Sequence, residues 1–368
     1  GNDYSINQMS ISRPSESNLG LFGVLDGAII HNLHVSASDV TGINWCGIII
    51  GRAYNSDFFN CHAEGSVTGT GGSIGGLMGR MDGSSLYYSS FGGTVSSSGA
   101  PVGGLIGRLD ASEIGACWAI ADVSGGSIVG GLAGYTLANS TIYESYSSGS
   151  ASSSGDYVGG ITGSAAYTIS ITSCYSHSAV SGNSYVGGLI GETDGATLSG
   201  CYSTGTVEGN SNTGGLVGFN TAASSAEDCY WDTDSSLLST SVLGFGRSTA
   251  EMTYPYAMNT YNNWDFNEIW AADLEHETNS GYPYLRWQAP APDYHPPRFV
   301  QAGLDIPGAR VMWYSPLVGL PSSYQVHRLI PGQETDETSW TLVENAVADT
   351  MFIDTAWESL PEGTYKWA

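Results

Sequence analysis

Short apolar runs alternate with polar, glycine-rich stretches along most of the chain, and they do so on a fixed schedule. A glycine marks each recurrence, at Gly23, Gly51, Gly79, Gly107, Gly134, Gly163, Gly191 and Gly218, spaced 27 to 29 residues apart. Two residues before these stand Leu21, Ile49, Leu77, Leu105, Leu132, Ile161, Leu189 and Leu216. A second apolar series runs through Ile30, Phe58, Leu86, Ile114, Ile142, Ile171, Leu198 and Ala226, and a third through Val67, Val95, Val123, Ala151, Val180 and Val207. Between them lies a slot filled by Leu33, Cys61, Ser89, Cys117, Ser145, Cys174, Cys201 and Cys229. Similar side chains in the same slot of eight successive units are what a stacked repeat with one continuous interior demands.

The apolar runs are rich in Val and Ile and are bounded by turn-forming clusters such as Thr68-Gly69-Thr70-Gly71-Gly72-Ser73. No repeat sustains the i, i+3, i+4, i+7 pattern of a helix, so strands and tight turns are predicted. The expected fold is all-β: a parallel β-solenoid (β-helix) of about eight 28-residue coils over residues 1–229. Strand spacing makes this a rod of about 40 Å.

Val102-Gly103-Gly104-Leu105-Ile106-Gly107, Val129-Gly130-Gly131-Leu132-Ala133-Gly134 and Val186-Gly187-Gly188-Leu189-Ile190-Gly191 resemble the GLUG motif. With the closing elements Cys229-Tyr230-Trp231-Asp232-Thr233-Asp234 and Gly281-Tyr282-Pro283-Tyr284-Leu285, the resemblance covers residues 1–288. It implies a repeat region of the kind found in large secreted and surface proteins of bacteria and archaea, some of them IgA-peptidase-type. The motif is specific for architecture and weak for function. Gly47-Ile48-Ile49-Ile50-Gly51 departs from it in its second glycine, and Thr162 is polar where its counterparts are aliphatic.

The periodicity stops at Tyr230. Residues 230–288 are expected to cap the C-terminal end, because an open solenoid exposes unpaired strand edges. Within them Ser248-Thr249-Ala250-Glu251-Met252 reads as a helical turn with a capping box, and Asn263–Trp270 alternates like a strand. A proline-rich linker, 289–297, leads to residues 298–368, whose strand-like runs Ala309–Tyr314, Tyr324–Arg328, Trp340–Val343, Phe352–Asp354 and Thr364–Ala368 resemble a fibronectin type III β-sandwich. That resemblance leaves the sandwich incomplete, either by truncation or because another chain supplies a strand. At the other end, Tyr4–Ile11 already reads like part of a preceding coil, as in a fragment or mature product.

Charge narrows the partners. Asp plus Glu outnumber Lys plus Arg by 35 to 10, for a formal charge of −25, which argues against nucleic acid. No run reaches 18 apolar residues, so no membrane insertion is expected of this segment. No CxxC spacing suggests zinc, and no cofactor is expected. Five cysteines share one repeat slot, which implies a buried ladder or a bridge between adjacent coils, Cys174–Cys201 or Cys201–Cys229.

Three candidate surfaces follow from register. The position after the cysteine slot holds His34, His62, Ser90, Trp118, Tyr146, Tyr175, Tyr202 and Tyr230. Alternation turns these outward when Cys points inward, so Trp118, Tyr146, Tyr175, Tyr202 and Tyr230 form either a glycan-contact stripe or a self-stacked shield. Arg52, Arg80 and Arg108 follow successive marker glycines as an anion-binding ladder, or as ion pairs with Asp82 and Asp110. Asp228, Asp232 and Asp234 are the densest carboxylate cluster and the one calcium candidate. No catalytic set is discernible, and the expectation is a non-enzymatic, extracellular structural or adhesive surface protein. Self-association into filaments, or a cell-surface or glycan ligand, supplies its partners. The alternative is a carbohydrate-binding module or a polysaccharide-degrading enzyme on a β-helix.

Overall fold

The computed structural model describes residues 5–221 and 224–288, together with strands between 300 and 367. It divides into two units, Gly1–Arg286 and Trp287–Ala368. The first is a parallel β-solenoid. Its eight-stranded sheet takes one strand from each coil in chain order: Phe22–Asp26, Ile50–Tyr54, Met78–Asp82, Ile106–Asp110, Ala133–Leu137, Thr162–Ala166, Ile190–Asp194 and Val217–Asn220. A 6-stranded sheet carries the paired glycines, and a 19-stranded sheet wraps the remaining sides of the coil. Parallel register places like on like, as in Arg52↔Arg80, Arg80↔Arg108 and Val67↔Val95.

The three apolar series point inward and make one core. Ile49, Leu77, Leu105, Leu132, Ile161, Leu189 and Leu216 are fully buried, as are Phe58, Leu86, Ile114, Ile142, Ile171 and Leu198. Thr162 is buried as well, and its hydroxyl is satisfied by the carbonyl of Ser164 at 3.1 Å and by Thr136 Oγ1 at 3.1 Å. A hydroxyl is therefore tolerated there because the coil below supplies its partner. The glycine pairs answer a steric need: a Cβ built on Gly104 runs into the carbonyl oxygen of Gly131 in the next coil. Only a residue without a side chain lets the two backbones approach that closely.

The cysteine slot is a polar device as much as an apolar one. The backbone N–H of Cys61 donates to Ser89 Oγ at 3.0 Å, that of Ser89 to Cys117 Sγ at 3.4 Å, and that of Cys117 to Ser145 Oγ at 3.1 Å. Cys and Ser interchange here because the corner needs a small acceptor for an N–H of the preceding coil. All six cysteines are free and buried, with no bridge between adjacent coils. Burial pushes the Cys61 thiol up to about 12, so it stays protonated and inert. A parallel serine corner (Ser56, Ser84, Ser112, Ser140) repeats the arrangement, with each N–H bonded to the next hydroxyl at 3.0 to 3.2 Å.

Beyond the last coil the chain does two things. Trp231 turns into the core, where Gly215 makes room for its indole, and its Nε1 donates to Leu238 O at 3.2 Å. The strand edge of the final coil is met by Ser241, whose Oγ accepts from Val217 N at 2.9 Å. Residues 249–252 form the expected helical turn with its Ser248/Glu251 capping box. Asn263–Trp270, however, is not a strand. The Asp265 carboxylate accepts from the N–H groups of Asn267 and Glu268 at 2.8 and 2.9 Å, so a local turn outcompetes extended backbone and only Trp270–Ala271 pairs.

In the second unit, Val300–Asp305, Gly308–Trp313 and Met351–Asp354 form one antiparallel sheet. Tyr324–Leu329, Thr341–Val347 and Lys366–Trp367 form another. The expected proline-rich linker lies outside the described residues.

Candidate functional site

The aromatic stripe is present, but much of it is covered. Trp118, Tyr146, Tyr175 and Tyr202 stack coil on coil, with centroids 6.3, 4.9 and 5.0 Å apart and planes within 7° of parallel. Faces are therefore turned toward each other along the rod, leaving edges outward. A sugar would need an open face, which this geometry does not offer over most of the stripe. Tyr175, Tyr202 and Tyr230 are buried, because residues 261–283 fold sideways over them. Tyr202 is ringed by Tyr261, Trp264, Trp270 and Tyr282 at 5.9 to 6.2 Å. Its hydroxyl donates to Pro283 O at 2.7 Å and accepts from Asn279 Nδ2 at 2.7 Å. Trp118 and Tyr146 remain half-buried, so the outward stripe is two rings long and not five.

The lateral cover is fastened by polar groups. His177 Nε2 meets Asn279 Oδ1 at 2.7 Å, and its Nδ1 meets Thr204 Oγ1, an arrangement that suits a neutral ring. Burial holds its pKa down at about 4. Asp273 is buried and takes four backbone N–H groups, from Glu277, Thr278, Asn279 and Gly281, at 2.7 to 3.2 Å. Desolvation alone would raise its carboxyl, and these donors more than reverse that, holding it below the ordinary carboxylate range.

The aspartate cluster serves the same cover. Asp232 is fully buried; its Oδ1 caps a helical turn by accepting from Asp234 N and Ser235 N at 2.8 and 3.1 Å. Its Oδ2 accepts from Thr249 Oγ1 at 2.7 Å and from the Tyr282 hydroxyl. Asp234 accepts from Thr249 N at 3.0 Å, and Asp228 from Asn263 Nδ2 at 3.0 Å. Among the described residues no group of three or more His, Cys, Asp or Glu side chains could hold a metal ion. The three carboxylates act as hydrogen-bond acceptors for the protein itself.

The arginine ladder is knitted to its aspartates in a staircase. Arg52 reaches Asp82 of the next coil at 3.1 Å, Arg80 bonds Asp82 and reaches Asp110 at 3.4 Å, and Arg108 meets Asp110 at 3.0 Å. Rings take part too: the Arg52 guanidinium lies 4.2 Å from the Tyr54 centroid, and that of Arg108 lies 5.9 Å from Tyr135. The geometry is that of mutual neutralisation.

The arginines of this column span three coils. The column continues in register through Tyr135, Ser164, Glu192 and Phe219. Alongside, Tyr157 and Tyr185 stack at 4.8 Å and Phe219 tilts against Tyr185 at 5.1 Å. The signal was available in the position after each marker glycine, which changes from Arg to a mixed aromatic and acidic set.

With this geometry the molecule is a β-solenoid of repeated glycine-marked coils, and the GLUG motif itself matches residues 182–208. Among solved structures, a Bacteroides ovatus protein provisionally named an immunoglobulin A1 protease is similar at 18% identity, over 78% of this chain and 76% of that one, with a TM-score of 0.36. A likeness this distant carries nothing about activity. No curated protein matches the chain.

Proposed function

We propose that this chain belongs to an extracellular surface protein in which the solenoid is a rigid scaffold for multivalent contact. The observation that carries this reading is the register: eight coils repeat outward-facing columns of side chains at strand spacing along one rod. Weak contacts repeated on a rigid array gain avidity from geometry and need no deep pocket. The GLUG match supports placement outside the cell, and no described helix is long and apolar enough to cross a membrane. In this reading residues 1–229 are the array, 230–288 its cap, 289–297 a linker and 298–368 a fibronectin type III-like spacer. Partners are further copies of the chain or components of a cell surface.

Protease shaving of intact cells, combined with electron microscopy of native secreted material, tests this. Release of the chain by external protease is expected, and regular filaments would make it an assembly subunit. Discrete rods would direct the search to surface ligands. Complete protection from external protease, with release only on lysis, would overturn the reading.

A further inference from the structure

Each coil leaves the eight-stranded sheet by the same corner, and most coils turn it in two residues. Gly83 and Ser84 connect the paired rungs Asp82 and Ser85, and Ala111 and Ser112 connect Asp110 and Glu113. One coil later three residues, Ala138, Asn139 and Ser140, connect Leu137 to Thr141. Ser140 keeps the buried place of Ser84 and Ser112, its hydroxyl accepting from Ser112 N at 3.2 Å. The extra residue is therefore carried outside the corner, and it is Asn139. It is exposed and is the second of two successive left-handed residues, Ala138 at φ 49° and Asn139 at φ 60°.

Asn139-Ser140-Thr141 is also the chain's one Asn-x-Ser/Thr sequence. Thr141 is half-buried and its neighbour Ile142 lies in the core, so alternation turns Thr141 outward, to the side on which Asn139 stands. Asparagine suits a left-handed position on conformational grounds alone. Yet the next coil turns its own three-residue corner with Tyr167 at φ 67° and Thr168 at φ 62°, so conformation does not select the amide. Hydrogen bonding does not select it either. Asn55, at a two-residue corner, ties its Nδ2 to Asp26 Oδ1 at 3.2 Å. Among the described residues neither the Asn139 amide nor the Thr141 hydroxyl makes a side-chain hydrogen bond.

We infer that Asn139 is an N-glycosylation site, its Nδ2 carrying the first sugar of a glycan and Thr141 supplying the hydroxyl that the glycosyl-transferring enzyme reads. The donor is a lipid-linked glycosyl pyrophosphate. Asn139 Nδ2 attacks C1 of its first sugar, and the C1–N bond forms as the C1–O bond to phosphate breaks. The lipid pyrophosphate leaves with the electron pair, and a base of the transferase takes the Nδ2 proton. The inserted residue lies outside the wound core, so a bulky substituent there displaces no coil contact. The glycan stands beside Tyr167, which is 66% exposed and whose carbonyl accepts from Asn139 N at 3.1 Å. The inference rests on the extracellular reading, because such sequons are used in secreted chains.

Mass spectrometry of native protein recovered from the cell surface or the medium tests it, after denaturation and digestion with a glutamate-specific protease. Cleavage after Glu113 and Glu144 isolates residues 114–144, in which Asn139 is the single asparagine. This peptide is expected to exceed its sequence mass by whole sugar residues, with fragmentation placing them on Asn139. Asn139→Asp, which keeps a residue tolerant of left-handed backbone, should remove the added mass. Thr141→Ala should remove it as well, while Thr141→Ser should retain it. A peptide at its sequence mass in surface-located protein overturns the proposal. Sugar that survives Asn139→Asp or Thr141→Ala also overturns it, because the linkage would then run through a hydroxyl. Protease shaving decides location separately: an unmodified chain at the surface removes the glycan alone, and a chain retained inside the cell removes the surface reading with it.

Discussion

The coils and the segment that covers them are held by different physics. A coil repeats a small set of residues, and each apolar rung rests on the one below, so Ile114 sits between Leu86 and Ile142. The cover, from Asp232 to Tyr284, repeats nothing. It is fastened by buried polar acceptors, Asp232 and Asp273, and by the His177–Asn279–Tyr202 network. Regular packing distributes stability along the rod, whereas single buried acceptors concentrate it at a few atoms. One substitution should therefore have very different consequences in the two regions.

The largest effect is expected at a glycine where coils touch. Gly104→Val would drive a side chain into the Gly131 carbonyl, while the N–H of Gly104 is held to Gly130 O at 3.1 Å. Neither backbone can retreat without losing sheet hydrogen bonds on both sides. The expected cost exceeds about 4 kcal/mol, read as loss of the cooperative thermal transition or as failure to accumulate folded protein. Wild-type-like melting of Gly104→Val would show that the close packing of coils is not needed for the fold.

A smaller and more local loss is expected from Asp232→Ala. It leaves two backbone N–H groups and the hydroxyls of Thr249 and Tyr282 without their acceptor. Asp234, Ser235 and Thr249 are at least partly exposed and can turn to water, which leaves the buried Tyr282 hydroxyl as the main loss, about 1 to 3 kcal/mol. The damage should stay in the cover. Hydrogen exchange should accelerate across residues 249–286, with the coils from 74 to 199 keeping their protection. Uniform acceleration over the whole first unit would mean that cover and array unfold as one body.

These two sites also mark what the chain's pattern reveals and what it conceals. Period and glycine placement make the solenoid legible, because every coil restates the same steric requirement. The cysteine slot was legible as an interior position but not as a hydrogen-bonding corner. That role appears only when the N–H of Cys61 is seen to meet Ser89 in the coil below. Alternation predicts a strand over Asn263–Trp270, since it cannot reveal that Asp265 folds the backbone into a turn. For the same reason register turns Tyr175, Tyr202 and Tyr230 outward without showing what covers them: nothing local in those repeats says that Trp264 and Trp270 will lie over them.

Acid should separate cover from coils by the smallest margin. Burial holds the His177 pKa at about 4 in the folded chain against the ordinary 6.5 of an imidazole, so the unfolded state binds the proton first as pH falls. Its contribution is constant above pH 6.5 and is lost between 6.5 and 4, amounting to about 2 kcal/mol by pH 5 at most. Asp273 acts in the same direction at lower pH, because a depressed carboxyl stabilises only while ionised. The coils have their own sensor in His62, also held near 4 by burial and by neighbouring His34. Its ring is bonded within the array, to Ser90 Oγ at 2.7 Å and Asn60 Oδ1 at 2.8 Å, so its protonation weakens the coils and not the cover. Between pH 7 and 5, the opening equilibrium of residues 254–286, read from exchange rates corrected for the intrinsic rate at each pH, should rise by about tenfold or more in the wild type. His177→Gln, which can keep one hydrogen bond to Asn279 without titrating, should flatten that rise and leave the acid response around His62 in place. A rise equally steep in His177→Gln would show that His177 is not the source of the acid sensitivity of the cover.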